Sequence, residues 1–257
     1  LCLQNLDNTR ILRPCCVFTP PSSSFPANPF PPMKHLLSLL FTLLTLLPLQ
    51  AQSDTTRFLI TTTAGPITAI LFNDTPLHRD NFIRNIRTHA YDSLLFHRVI
   101  PGFMIQSGDT ASRHALPGQP LGDSPEPFTI PAEFRFPKHF HQAGALAMAR
   151  EDDAENPTRA SSSMQFYIVT GRPFTDDQLD RLQQRLDSTT NGTIHFSPEI
   201  RNIYRTLGGA PHLDGTYTVF GQVIDGFETL DALQFVERDA ANRPLCDERI
   251  LSIKILP

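Results

Sequence analysis

Apolar residues recur at roughly every second position in two short runs, "RFLITTTA" at 57–64 and "ITAILF" at 67–72. Both are rich in β-branched side chains, and Gly65-Pro66 separates them, which predicts a β-hairpin. The period then changes. Over 76–90, "PLHRDNFIRNIRTHA", Leu77, Phe82, Ile83 and Ile86 fall near helical spacing, with Thr75 as N-cap and Pro76 in the first turn. Strands are expected again at 95–100 and 103–107, broken by Pro101-Gly102, and a proline-rich loop at 115–127 follows. Further strands are expected at 143–149 ("AGALAMA") and 165–170 ("QFYIVT").

At 175 the helical period returns. "TDDQLDRLQQRL" opens on a threonine cap and two acids and places leucines at 179, 182 and 186, the pattern of an amphipathic helix. A second helix is expected at 197–207 behind Ser197-Pro198, so 172–211 reads as a helical insertion between strand regions. Closing strands are expected at 217–223 and 249–256, with a helix at 227–235 between them. Many short strands, few helices and no regular strand–helix alternation predict a mainly β fold, an antiparallel barrel or sandwich.

Composition divides the 257-residue chain. "MKHLLSLLFTLLTLLPLQAQS" from Met33 has a short basic start, a twelve-residue apolar run and a small residue, Ala51, at a cleavage position. These are the parts of a signal peptide, 33–51. The run falls short of the roughly 20 apolar residues of a spanning helix, so no stable membrane anchor is expected. Residues 1–32, rich in proline and serine, are expected to be an upstream extension outside the mature protein, leaving 52–257 as one domain. Export is expected, into a bacterial periplasm, with secretion beyond the cell as the alternative. Without Arg10, Arg13, Lys34 and Asp7 the domain keeps 19 basic against 25 acidic side chains, a net charge of −6. That offers no footprint for nucleic acid. Cys246 is its one cysteine, so no internal disulfide is available.

Within 96–109, "FHRVIPGFMIQSGD", Arg98 sits between Phe96 and Ile100 in a run that otherwise reads as core. A charge so placed either points outward into solvent or waits at the edge of an apolar pocket for a partner. The segment closely resembles the signature of the cyclophilins, peptidyl-prolyl cis-trans isomerases. "GALAMA" at 144–149, "SSMQFYIV" at 162–169 and "HLDGTYTVFGQVIDG" at 212–226 are similar to later family blocks in the same order, over roughly 57–257.

The resemblance implies a closed eight-stranded antiparallel β-barrel with a helix capping each end. It implies that Arg98 is the catalytic arginine, with Gln106 beside it and Phe103, Met104 and Leu213 lining a proline pocket. Ala149, Arg150 and Gln165 correspond to the groove for residues preceding the proline. Four positions depart from the family: Arg150 stands where asparagine is frequent, Tyr167 for the pocket phenylalanine, His212 for the tryptophan of cyclosporin-binding members, and Tyr217 for the groove histidine. Weak cyclosporin binding is therefore expected. The implied partners are proline-containing polypeptides, and no cofactor is required. The alternative is a non-catalytic module that binds proline-containing segments.

Other chemistry is weaker. "HFH" at 139–141 alternates as a strand and has no second ligand cluster nearby, so no metal site is expected. Asp152, Asp153 and Glu155 lack the calcium-loop pattern, and Ser161 to Ser163 lie outside any nucleophile elbow.

Overall fold

A computed structural model describes residues 55–257; the upstream stretch 1–32 and the leader 33–51 lie outside the described residues. Strands β1 (Thr56–Thr62) and β2 (Pro66–Leu71) alternate buried and less buried positions, as strands with a core on one side do. They pair antiparallel from Thr56↔Leu71 to Thr61↔Pro66. Gly65 turns the chain at φ +142°, where a Cβ would lie 2.6 Å from Thr229 Oγ1.

Helix α1 (Pro76–Arg87) begins at the expected proline, but the Thr75 side chain does not cap it. That hydroxyl donates to Phe72 O at 3.3 Å. The free His78 N–H instead donates to Glu133 Oε2 at 3.0 Å. A buried carboxylate outcompetes the local hydroxyl at the positive end of the helix. Leu77 also departs from expectation, being 49% exposed. The docking face uses Asn81 and Asn85, both donating to Ser163 O at 2.9 Å, beside Phe82 and Ile86.

The remaining elements are β3 (Arg98–Ile100), β4 (Met104–Ser107), β5 (Thr129–Ile130), β6 (Ala145–Met148), β7 (Ser161–Ser162) and β8 (Phe166–Val169), then α2 (Asp176–Thr189), α3 (Pro198–Thr206), β9 (Val219–Asp225), α4 (Phe227–Gln234) and β10 (Ile250–Ile255). The expected capping of α2 is present as a full capping box between Thr175 and Gln178, and Ser197 caps α3. The small β5–β7 pair had no signal in the sequence pattern.

Eight strands form one curled antiparallel sheet in the order β10-β1-β2-β9-β6-β8-β4-β3. Closure is looser than the resemblance implies: among the described residues no strand ladder joins β3 to β10. Pro101-Gly102 turns β3 into β4 after three residues, so the segment ahead of β3 spans the gap. Leu95 bridges Arg249, and the Ser93 and Phe96 N–H groups donate to Ile250 O and Glu248 O, both at 2.8 Å.

The central strands are buried on both faces. Leu146, Met148, Phe166 and Ile168 join the main core with Phe58, Phe82 and Phe220, over which α1 and α4 pack. The alternate residues Ala145, Ala147, Tyr167 and Val169 join Met104 and Val219 in a second cluster on the opposite face. The insertion has its own core of Leu179, Leu186, Phe196, Ile200 and Tyr204.

His97 is a polar residue in the main wall. It is 4% exposed, and neither ring nitrogen has a hydrogen-bond partner among the described residues. Burial pushes its pKa down to about 4; Asp109 pulls it up and the Arg98 charge presses it further down. The unfolded chain, with histidine near 6.5, takes up this proton first as pH falls. Stability is therefore intact above about pH 6.5 and is lost as pH falls towards 4. Between pH 7 and 4.5, wild type should lose about 2 kcal/mol more than His97→Phe, measured by urea unfolding. Parallel losses in the two proteins would show that His97 is not the group responsible.

Candidate active site

The second cluster floors a cavity of about 120 Å³. Arg98, Phe103, Met104 and Gln106 reach it from the β3–β4 hairpin, Ala149 and Arg150 from the end of β6, Tyr167 from β8, and Leu213 and Tyr217 from the loop before β9. Nine of the eleven residues singled out in the sequence thus share one cavity. The floor is apolar because the two-residue strand period sends Tyr167 and Met104 to this face and Phe166 and Ile105 to the core.

Arg98 faces Gln106 across the β3–β4 ladder and donates from Nη1 to Gln106 Oε1 at 3.2 Å. Gln106 Nε2 donates to Gln165 Oε1 at 3.0 Å, and Gln165 Nε2 donates to Gly122 O at 2.7 Å. A backbone carbonyl only accepts, so Gly122 fixes which way both amides point. The relay ends with an acceptor aimed at Arg98. Among the described residues, no carboxylate lies within 4.0 Å of the Arg98 guanidinium, and Gln106 is its one hydrogen-bond partner. Gln165, 8% exposed, does not line the cavity; it stands behind Gln106.

Gly122 is held in turn by Asp109, whose Oδ2 accepts its N–H at 2.5 Å while Oδ1 accepts from Ala111 N–H at 2.9 Å and from the Ser124 hydroxyl. Burial alone would raise the Asp109 pKa, but these three donors hold it below the ordinary carboxylate value. The signature's last residue therefore anchors the proline-rich loop that supplies the carbonyl.

Tyr167 has a second relay behind it. Its hydroxyl lies 3.0 Å from His141 Nε2, and His141 Nδ1 lies 2.8 Å from Asp214 Oδ1. Asp214 Oδ1 also accepts the His141 backbone N–H at 2.9 Å, and Oδ2 accepts the Tyr204 hydroxyl at 2.6 Å. A proton on Nδ1 serves the carboxylate, which leaves Nε2 to accept from Tyr167. Burial pushes both tyrosine hydroxyls well above their ordinary pKa, so both remain protonated donors. All four side chains are buried. The hydroxyl that distinguishes Tyr167 from the family's phenylalanine is thus satisfied by a chain ending in the helical insertion.

The rim residues differ in freedom. The Arg150 guanidinium donates to Thr216 O at 2.8 Å and Glu151 O at 2.7 Å and pairs with Asp153 at 2.7 Å. It lies 4.4 Å from the Tyr217 ring centroid, so its hydrogen bonds are spent on holding that ring as a wall. Tyr217 meets Tyr167 edge-on at 6.1 Å. His212 is exposed and rests against Phe103, with centroids 5.1 Å apart. It adjoins the cavity without lining it.

Sequence reasoning missed Asp109, Gly122, His141, Tyr204 and Asp214 as supports. Asp109 and Asp214 stand inside the motif blocks, and this was their available signal. The "HFH" histidines each meet a carboxylate, His139 with Asp74 at 2.7 Å and His141 with Asp214, while Phe140 packs on the insertion core.

Comparison with known proteins agrees with this geometry. The family model described as cyclophilin type peptidyl-prolyl cis-trans isomerase/CLD matches residues 57–255. A Staphylococcus aureus protein described as a peptidyl-prolyl cis-trans isomerase is 31% identical over 209 residues, covering 80% of this chain and 94% of that protein. A Streptococcus pyogenes protein described as a bifunctional phosphatase/peptidyl-prolyl cis-trans isomerase is 34% identical over 202 residues, which span 76% of this chain but 38% of that protein. Among solved structures, a Cryptosporidium parvum cyclophilin type isomerase superposes with a TM-score of 0.56 at 24% identity, covering 79% of this chain and 98% of that one. The same parasite isomerase, crystallised in the presence of the dipeptide Ala-Pro, superposes with a TM-score of 0.55. With its curled antiparallel sheet and its arginine-edged cavity on an apolar floor, this chain belongs to the cyclophilin-type peptidyl-prolyl cis-trans isomerases.

Proposed function

We propose that Arg98 is the catalytic group of this isomerase and that its clients are exported polypeptides. Rotation about an X–Pro bond must give up amide resonance, at a barrier of about 18–20 kcal/mol. The planar amide is more polar than the twisted one, so an apolar cavity favours the twisted state. There the prolyl nitrogen regains its lone pair and becomes an acceptor. A guanidinium aimed at that nitrogen stabilises only the twisted state, which is what accelerates a reaction. No bond is made or broken, so the step calls for no cofactor.

The observation that carries this reading is the state of Arg98: edging a cavity with an apolar floor, oriented by Gln106, and without an acidic partner among the described residues. Phe103, Met104, Tyr167 and Leu213 hold the proline ring. Gln165 acts through Gln106. Ala149 lies along the approach of the preceding residues, and Arg150 acts by positioning Tyr217.

A hydrogen bond to a charged group contributes about 1.5–3 kcal/mol, and each ~1.4 kcal/mol is tenfold in rate. Arg98→Ala should therefore slow catalysed cis/trans exchange by about 10- to 100-fold, measured by NMR exchange spectroscopy on a short X–Pro peptide. Because Arg98 is exposed, its removal should leave the fold intact. Undiminished exchange in the variant would discard the mechanism, and unchanged exchange with wild type despite peptide binding would make the cavity a recognition site alone.

His212 presents a smaller ring than the indole of cyclosporin-binding members, and so less amphipathic contact. Calorimetry should find cyclosporin dissociation constants well above the nanomolar range, and a nanomolar value would refute the role assigned to this position. Export rests on the leader at 33–51. N-terminal sequencing of the native protein should begin at Gln52, in the periplasmic fraction; any residue of 1–32 at the N-terminus would contradict this.

A further inference from the structure

The insertion carries a second depression, of about 170 Å³, lined by Arg172, Phe174, Gln178, Arg181, Leu182 and Arg185. Gln178, Arg181, Leu182 and Arg185 stand at i, i+3, i+4 and i+7 on α2, so they form one stripe of that helix. The cations of this stripe differ from the others on the insertion. Arg201 pairs with Asp176 and Asp180, and Arg205 with Asp176, on another side of α2. Among the described residues, Arg172, Arg181 and Arg185 have neither an ion pair nor a side-chain hydrogen bond; Asp177, four residues before Arg181, is likewise in no ion pair. The Arg172 guanidinium lies over the Phe174 ring, 5.1 Å from its centroid.

This depression adjoins the isomerase cavity. The Thr170 and Gly171 N–H groups both donate to Phe103 O, at 3.0 and 3.2 Å. A Cβ on Gly102 would lie 3.6 Å from Arg172 Cβ. Strand β8 thus leads from Gln165, beside Ala149, through Tyr167 to the arginines. At about 3.3 Å per extended residue, the five steps from Tyr167 to Arg172 span about 17 Å at most.

We propose that this arginine-lined depression is a docking subsite for carboxylate side chains of the substrate, within about five residues of the proline seated in the cavity. It rests on the isomerase reading of that cavity and adds a substrate class: proline segments flanked by acidic residues. Three unpaired cations converging on an aromatic floor, on a chain of net charge −4, fit a negative ligand.

The test uses a peptide with one central proline and glutamate pairs three and four residues away on either side, against the same peptide with glutamines. Bulk charge repulsion disfavours the glutamate peptide, so a preference for it reports the local site. At low salt the glutamate peptide should show a three- to tenfold lower KM with similar kcat, the advantage shrinking in high salt. In the double variant R181Q/R185Q the ratio of the two KM values should approach one, while kcat on the glutamine peptide stays unchanged. Equal KM values in wild type, or an advantage that survives in the double variant, would overturn the proposal. If neither peptide is isomerised but fluorescence anisotropy finds arginine-dependent preference for glutamate, the subsite stands and the catalytic reading of the cavity falls.

Discussion

Everything at this site depends on strands that are buried on both faces. In β8, Phe166 and Ile168 fill the main core while Tyr167 and Val169 face the cavity cluster; in β6, Leu146 and Met148 alternate with Ala145 and Ala147 in the same way. A slip of one residue would exchange the two sets. Phe166, which meets Phe82 at 5.3 Å and Tyr91 at 5.2 Å, would leave the aromatic core, and the Tyr167 hydroxyl would enter it. A buried hydroxyl without a partner costs about 1–3 kcal/mol, so the core enforces the register that builds the cavity. The two alanines lie buried within the cluster on the cavity side of the sheet.

The same register sets Arg98 against Gln106, yet register alone does not orient an amide. That task falls to Gly122, whose carbonyl forces Gln165 and then Gln106 to present an oxygen to the arginine. The loop bearing Gly122 is irregular and proline-rich, but Asp109 holds it by accepting from two of its donors, the Gly122 N–H and the Ser124 hydroxyl. A positive charge is thereby oriented without being neutralised. A carboxylate in Gln106's place would compete with the substrate for the guanidinium; a glutamine oxygen directs it and leaves its charge available.

The hairpin, the capped helices and the order of the closing strands were legible from hydrophobic period and turn residues, because those signals are local. The cavity was legible through its motif blocks, which carry Arg98, Gln106, Tyr167 and Leu213 in sequence. What escaped was long-range. Glu133 displaces Thr75 as the cap of α1 from 55 residues beyond His78, and no local pattern announces such a partner. The burial of His78, Asn81 and Asn85 in place of Leu77 follows from hydrogen bonds to residues 161 and 163, invisible to any scale of hydrophobicity. His141 read as an alternating strand residue, and only the fold sets it between Tyr167 and Asp214.

That placement changes what the insertion is. Tyr204 belongs to the insertion core, where it meets Phe140, Phe174 and Phe196, yet its hydroxyl ends the chain of hydrogen bonds that begins on Tyr167 in the cavity wall. A phenylalanine at 167 would need no such partner, and His141 Nε2 would then be the group left unsatisfied. The tyrosine in the cavity and the helices beyond it are therefore matched: the polar substitution in the wall is tolerated because Asp214 and His141 receive it. Asp214 in turn is held on its other oxygen by α3. The insertion reaches the isomerase cavity by two routes, through this buried chain behind Tyr167 and along its surface through Arg172. It is a structural part of the site, joined to the residue at 167 through Tyr204, Asp214 and His141.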